Sequence, residues 1–364
     1  MSGTSMDGID LAVVRTDGVG EVFRQLPATM KPYPQDLRNA IADALEEAKA
    51  IRDRSDRPDS LRDVELAITK CHFELVREFL AEHNEALPKV DVIGFHGQTV
   101  LHRPQEAITV QLGDGARLAA ATGIPVISDM RANDMAHGGQ GAPLAPAYHS
   151  AIATASKDVL ASGPVVFVNL GGISNITYVK GDDLIAFDTG PSNALIDQWM
   201  QLHFDAGYDA GGKQAQKGSI QREIINPYFE LSFFSKPLPK SLDRLDFELP
   251  LAHRFDPVDV LRSLTRLTSE AVMKAQAHLP EKPKAWILCG GGRHNQCIVA
   301  DMRELAGENG ARVLVAEDIG LRGDLIEAEA WAYLAVRSLK GLPLTFPGTT
   351  GCSKPVSGGI LHNP

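Results

Sequence analysis

Residues 165–197 read VVFVNLGGISNITYVKGDDLIAFDTGPSNALID. Val165 to Leu170 is an apolar, β-branched run, the pattern of a buried strand. Gly171 and Gly172 then allow a sharp turn and a close approach of backbone to a ligand. Asn175 to Val179 returns as a second strand, and Asp182-Asp183 supplies a polar turn. Leu184 to Phe187 makes a short third strand that delivers Asp188 to its C-terminal end. Thr189 to Asn193 leads into a helix beginning near Ala194, with Asn193 as its N-cap. A carboxylate beside a glycine turn and a helix N-terminus suits phosphate chemistry, because backbone N–H groups and the helix dipole hold an anion there. The carboxylate can take the proton of a nucleophile. Asp188-Thr189-Gly190 is equally consistent with an aspartate that merely caps a turn, so the remaining chain decides.

Two further glycine-bearing turns flank this stretch. At the start, Ser2-Gly3-Thr4-Ser5-Met6-Asp7-Gly8 precedes a strand from Ile9 to Arg15, an Asp17-Gly18 turn, and a return strand through Phe23 to about Ala28. The amides and hydroxyls of that loop suit a nucleotide phosphate, and Asp7 suits Mg²⁺ held through water. The plain alternative is a tail ahead of a hairpin. The chain has no G-x-x-x-x-G-K-[ST], so the loop is not a Walker motif. Late in the chain, the strand Ala285 to Cys289 runs into Gly290-Gly291-Gly292-Arg293-His294-Asn295, which opens a helix to Leu305. Three glycines between strand and helix let a flat ring or a phosphate lie against the backbone.

Between these turns, Pro34 to Lys49 is helical by period. Ser60 to Asp63 reads as the capping box of a helix ending near His83. Leu61, Val64, Ile68, Cys71, Leu75 and Phe79 form its apolar stripe, which puts His72 and His83 on the surface. A strand from Val90 to Phe95 ends in His96-Gly97-Gln98-Thr99. Another, Ile124 to Ile127, ends in Ser128-Asp129-Met130-Arg131, ahead of a glycine-rich turn from Asp134 to Gly141. Polar residues at such strand ends face the ligand crevice of an α/β domain. His96 and Gln98 are therefore candidate substrate contacts, and satisfaction of the loop itself is an equally good reading of each. Arg131 would take an anionic group or pair with Asp129 or Asp134. Asp256-Pro257 starts a helix to about His278. Arg312 to Val315 is a strand and Asp324 to Leu339 a helix, with Glu327 in its first turn, where an acid favours the dipole. Residues 342–364 are expected to lie extended on the surface.

At 364 residues the chain is long enough for two domains. The net charge of −10 argues against nucleic acid or an anionic membrane as partner. No apolar run approaches the roughly 20 residues of a membrane span, and the first residues lack the pattern of a signal peptide. Cys71, Cys289, Cys297 and Cys352 form no C-x-x-C pair and read as reduced thiols of a cytoplasmic protein.

MSGTSMDGID, VNLGGISNIT and ILCGGGRHN, taken in this order, resemble the phosphate and adenosine motifs of the actin-like ATPase superfamily. That likeness implies an α/β protein of two RNase H-like domains, 1–145 (with part of the C-terminal helices packed on it) and 146–364, with a nucleotide and substrate cleft between them. Within it, GTSMDGID, FHGQTVLHRP, QLGDGARLAAATGIPVISDMRANDMAHGGQGAPLAP, NLGGISNIT, FDTGPSNALID, CGGGRHN and PGTTG resemble the anhydro-N-acetylmuramic acid kinase family. The resemblance implies ATP-dependent opening of the 1,6-anhydro bridge by water and phosphorylation of O6, in peptidoglycan recycling. It implies Asp188 as the catalytic base. It places the phosphates against Gly3, Thr4, Ser5, Met6, Asp7, Gly8, Ile9 and Asp10, with Mg²⁺ near Asp7. Gly171, Gly172 and Asn175 would face them from the other domain, and Gly291 and Gly292 would flank the nucleoside. His96, Gln98, Arg131, Asp134 and Glu327 are the implied substrate contacts, with Arg131 on the lactyl carboxylate, and the assembly expected is a homodimer. The family normally carries a short apolar strand ahead of the first loop, whereas this sequence starts at the loop: either the start site is placed too late, or the strand is missing, which would leave an unpaired neighbour there. The readings that compete with this one are a kinase for another amino sugar and a non-enzymatic ATP-driven switch of the same superfamily.

Overall fold

The computed structural model describes residues 1–3, 6–156, 160, 163–242 and 246–364. The chain divides into two units, Met1–Ala155 with Leu325–Pro364, and Ser156–Asp324.

In the first unit, β1 (Gly8–Ala12) pairs antiparallel with β4 (Ala28–Pro32), and β2 (Arg15–Thr16) with β3 (Val22–Phe23). Asp17 closes the hairpin tip by accepting from the amides of Val19, Gly20 and Glu21. Helices α1 (Gln35–Glu47) and α2 (Leu61–Glu82) lie beside the hairpin of β6 (Gln98–Arg103) and β7 (Ile108–Leu112). Leu61, Val64, Ile68 and Leu75 of the predicted stripe share a core with Ile41, Val100, Val110 and Leu112. Two expectations fail on this helix. Ser60 does not cap it, because its hydroxyl donates to Glu47 instead. His72 is buried, with Nδ1 on the Ile68 carbonyl at 2.8 Å and its ring edge-on to Phe95, so the buried face is wider than the stripe. The strand expected over 90–95 shortens to β5 (Ile93–Gly94), parallel to β8 (Val126–Ser128). Asp114 caps α3 (Gly115–Thr122), and α4 (Ala132–Ala136) and α5 (Pro146–Ala155) follow.

The second unit holds one five-stranded sheet in the order β11-β10-β9-β12-β13, formed by β9 (Val165–Leu170), β10 (Ile173–Lys180), β11 (Asp183–Pro191), β12 (Ala285–Cys289) and β13 (Arg312–Val315). β10 is antiparallel to both neighbours, and β9, β12 and β13 run parallel. The order 3-2-1-4-5 with a reversed second strand is the RNase H-like arrangement the resemblance implied. Helices α6 (Asn193–Phe204), α7 (Arg222–Phe229), α8 (Pro257–Lys274) and α9 (Gln296–Gly307) complete the unit. Val166, Val168, Trp286 and Leu288 of the sheet meet Trp199, Leu261 and Leu264 in its core. The Asp256 side chain caps α8 as expected, on the Val258 amide at 2.9 Å. The third strand does not stop at Phe187. Its ladder with β10 resumes after an irregularity between Ser174 and Asn175 and continues to Ile173↔Pro191. Asn193 is the first residue of α6 and makes no cap; it donates to the Leu170 carbonyl at 3.0 Å.

The chain then returns to the first unit as α10 (Ile326–Leu339), α11 (Pro347–Thr350) and β14 (Ile360–His362). Asp324, expected to open α10, lies before it. The tail does not simply cover the surface, since β14 pairs antiparallel with β8. The hydroxyl of Tyr148 on α5 donates to Glu329 on α10 at 2.7 Å. These contacts explain why the first unit extends past the expected boundary at 145 and includes the last forty residues.

Gly94 sets how close α10 comes to β5. A Cβ there would lie 2.1 Å from the Trp331 carbonyl oxygen. Gly94→Ala is expected to cost about 3 kcal/mol, the upper range for overpacking, read as a lower urea midpoint at unchanged slope.

Candidate active site

In the first unit, the opening loop is tied to the strand ends after β5. The Ser2 hydroxyl donates to the Gly97 carbonyl at 2.9 Å, and the Ser2 carbonyl faces His96 Nδ1 at 2.7 Å. Gln98 Nε2 donates to the Gly3 carbonyl at 3.1 Å. The amide of Met6 also donates to Gly3, and Met6 takes a left-handed φ of 56°. Thr4 and Ser5 lie outside the described residues. Asp7 is exposed.

The last three residues expected to cradle phosphate belong to β1, which pairs with β4. Gly8 is opposite Pro32, where a Cβ would meet the Lys31 carbonyl at 2.4 Å. Ile9 is a core side chain. The Asp10 amide donates to the Met1 carbonyl at 2.8 Å. Ile9 therefore faces the core and the Asp10 amide is taken up by Met1, which argues against a phosphate contact through either.

Arg131 is held from several sides. One guanidinium nitrogen donates to the Gly141 carbonyl at 2.8 Å, and another faces His96 Nε2 at 3.1 Å. The guanidinium stands 5.5 Å from the Trp331 ring centroid. Burial lowers its pKa to about 10, against the opposing charges of Glu327 and Asp134. Neither of the ion pairs weighed for it forms, because Asp129 bonds Arg54 and Asp134 is spent elsewhere. Asp134, expected on the substrate, is buried and accepts from the Gly141 amide and the Thr350 hydroxyl, both at 2.7 Å. It fixes the glycine-rich turn behind Arg131. The buried polar atoms without a hydrogen-bond partner among the described residues include Arg131 Nε and Gln98 Oε1. Buried groups of this kind normally find a partner, which keeps both side chains as candidates for a ligand contact. Glu327 is exposed in the first turn of α10.

In the second unit, one rung crosses four strands. Asp188 is opposite Asn175, Asn175 is opposite Asn169, and Asn169 is opposite Cys289. Opposed residues share a face of the sheet. The first three are half-buried polar residues in strands that are otherwise mostly buried. The glycine turns after β9 and β12 leave from the same end. A Cβ on Gly290 would lie 2.4 Å from Asn169 Oδ1, and one on Gly292 would lie 2.6 Å from Leu170 Cβ. Gly291 has only a distant neighbour, Asn193 Nδ2 at 3.9 Å, so its surface stays open. The two turns thus lie side by side, and Asp188 stands about 10 Å away, two strand spacings along the rung.

The Asp188 carboxylate accepts from the Leu242 amide at 2.7 Å, and its own amide donates to the Lys240 carbonyl at 3.2 Å. Burial raises its pKa to about 6, and the Leu242 hydrogen bond opposes that shift. A carboxylate of that pKa accepts a proton readily near neutral pH.

The triple-glycine turn is anchored by Arg293. The buried guanidinium donates to the Gly290 carbonyl, Glu317 and Asp324 at 2.7–3.2 Å. Asn295 caps α9 through the amides of Cys297 and Ile298, so that helix start is already satisfied. Asn169, Arg293 and Trp331 were not among the predicted site residues. Asn169 was visible as the one polar residue in the run VVFVNL, whereas Trp331 and the partners of Arg293 depend on long-range contacts.

Among the described residues, no group of three or more His, Cys, Asp or Glu could hold a metal ion. No helix among the described residues is long and apolar enough to cross a membrane.

A sequence profile of the family described as anhydro-N-acetylmuramic acid kinase matches residues 1–364. The enzyme of that name from Agrobacterium fabrum is 53% identical, over 99% of this chain and 96% of its own length. The Brucella canis enzyme of that name is 52% identical, over 100% and 97%. Among solved structures, a ROK family glucokinase from Streptomyces griseus in complex with glucose and AMPPNP shares 15% identity at a TM-score of 0.40, over 91% of this chain and 96% of its own. The activator of 2-hydroxyisocaproyl-CoA dehydratase from Clostridium difficile with bound ADPNP shares 10% at a TM-score of 0.39, over 89% of each. The two solved structures are too remote to carry a mechanism, but with its whole length matched and half its residues shared with curated relatives, the chain belongs to the anhydro-N-acetylmuramic acid kinase family.

Proposed function

We propose that the chain opens the 1,6-anhydro ring of anhydro-N-acetylmuramic acid with water and transfers the γ-phosphoryl group of ATP to O6. The products are N-acetylmuramic acid 6-phosphate and ADP, and the reaction serves peptidoglycan recycling. The observation that carries this reading is Asp188, a half-buried carboxylate of raised pKa at the sheet end that bears both glycine turns. Asp188 takes a proton from water as the water oxygen bonds to C1. The C1–O6 bond breaks, and its electron pair makes O6 the nucleophile toward the γ-phosphorus. The bond between the γ-phosphorus and the β,γ-bridging oxygen breaks, and ADP leaves with its electron pair. The phosphoryl group on O6 then prevents re-closure of the ring. Holding the reactants together can remove roughly 7–11 kcal/mol of barrier.

The loop before Gly8 in the first unit, and the Gly171-Gly172 turn in the second, each offer backbone amides to phosphate, and Gly291 and Gly292 offer an open backbone to the nucleoside. Mg²⁺ usually keeps several waters and needs only one or two carboxylates beside the phosphates. The exposed Asp7 fits that requirement through water, and the ion would neutralise phosphate charge. Arg131 takes the lactyl carboxylate, because its planar fork matches one, and Gln98 Oε1 accepts from a sugar donor. Family likeness alone supports a cytoplasmic homodimer, which light scattering of the purified chain would check.

Incubation with Mg-ATP and the anhydro sugar in ¹⁸O-labelled water tests the reading. Label at C1 with phosphate on O6 is expected. ATP hydrolysis without a phosphosugar would instead support a nucleotide switch, and turnover of a different amino sugar alone would change the substrate.

A further inference from the structure

His96 lies between the two ligand-facing parts of the first unit and touches each with a different ring nitrogen. The Ser2 carbonyl can only accept, so Nδ1 at 2.7 Å carries the ring proton and donates. Nε2 is then a lone pair, and it accepts from the Arg131 guanidinium at 3.1 Å. The ring is buried and stacks 4.6 Å from Trp331, the same ring that Arg131 covers. Burial first, then the Arg131 charge, hold its pKa well below the usual histidine value, which keeps it neutral. With both nitrogens occupied and the ring enclosed, His96 has no free polar atom for a sugar, contrary to its expected place among the substrate contacts. The bonds from the Ser2 hydroxyl to Gly97 and from Gln98 to Gly3 lock the loop to the same segment.

We infer that His96 is a positioning residue that couples nucleotide binding to sugar binding, by linking the opening loop to Arg131. The inference rests on the proposed roles of that loop and of Arg131. When phosphates fix Ser2 and Gly3, the imidazole is fixed with them, and Arg131 is held in the orientation that takes a carboxylate. Coupling of this kind is reciprocal, so the sugar tightens the nucleotide by the same factor.

Two substitutions separate the two bonds. His96→Asn places an amide donor where Nδ1 was and cannot reach Arg131. His96→Gln reaches the Nε2 position with an acceptor and gives up Ser2. Calorimetry would measure the β,γ-imido analogue of ATP and the anhydro sugar, each alone and in the presence of the other. In the wild-type chain each ligand should tighten the other about fivefold or more. In both variants that factor should fall to near one. His96→Asn should keep nucleotide affinity within about twofold, and His96→Gln should do the same for the sugar, conserving the bond on that side. A purely structural histidine would weaken both ligands together and leave the factor unchanged.

Coupling that survives in both variants overturns the inference, as does wild-type binding of both ligands without coupling. Failure of the sugar to bind the wild-type chain overturns the functional reading and the coupling with it. Nitrogen-15 spectra of the wild-type chain at neutral pH give a check that needs no variant. The expected tautomer is protonated at Nδ1, and a proton on Nε2 would refute the linkage.

Discussion

Asp188→Asn should lower kcat by about 10³-fold or more, within the range for loss of a positioned base, while nucleotide affinity stays near wild type. The amide keeps the shape of the side chain and can still accept from the Leu242 amide, so the lost property is proton uptake. Turnover near the wild-type rate in steady-state assays would remove Asp188 from the mechanism. In the wild-type chain kcat/KM should fall as pH drops through about 6, because protonation of Asp188 removes the base.

The same variant should gain stability where it loses activity. The folded chain holds the Asp188 proton more tightly than an unfolded aspartate of pKa 3.8 does. Its contribution to stability is complete below pH 4 and disappears as pH rises through about 6. Two pK units correspond to about 3 kcal/mol, and partial hydration of this half-buried group brings the penalty to about 2 kcal/mol. Asn carries no such penalty. Asp188→Asn should therefore melt above wild type at pH 7.5 and together with it at pH 4. Equal melting at both values would show that the site does not strain the carboxylate.

Local chemistry made the second unit legible. VVFVNL, AWILC and RVLV are apolar runs with no helical period, and all three are strands of its sheet. Asp256-Pro257 carries its own cap and starts its helix as read. What escaped depended on distant partners. β11 continues through Asp188 because β10 supplies a ladder past the irregularity at Ser174. His72 is buried because Phe95 comes to rest against it. β14 forms only because β8 offers an edge more than two hundred residues earlier. At the site, a position at a strand's end beside a glycine turn pointed to Asp188, the family resemblance supplied Asn175, and Asn169 stands out only as the one polar residue of an apolar strand. The wiring of Ser2, His96 and Arg131 spans three separate segments, and no local pattern encodes it.

Arg293→Ala should lower stability and also weaken nucleotide binding. Its guanidinium is 2% exposed and bonds two carboxylates and the Gly290 carbonyl. Gly323 gives it room, since a Cβ there would lie 2.2 Å from Nε. Removing one partner of a buried ion pair costs about 3–5 kcal/mol. Glu317 and Asp324 are half-exposed and recover hydration when Arg293 is lost, so a loss of about 2–3 kcal/mol is expected. Lysine should rescue little, because an ammonium cannot serve both carboxylates and a carbonyl in one plane. The acid dependence separates this role from simple loss of volume. The Arg293 hydrogen bond holds the Asp324 carboxyl below its usual value, and Arg293 also outweighs the effect of burial on Glu317. That part of the stability is present above the ordinary carboxylate range and is lost as pH falls through the depressed values. Urea unfolding of the wild type should therefore show a shrinking advantage over Arg293→Ala on acidification from pH 7 to pH 3. A constant difference would mean that Arg293 acts by filling space. Loss of nucleotide affinity at pH 7 with no change in stability would place the guanidinium on the ligand instead of behind the glycine turn.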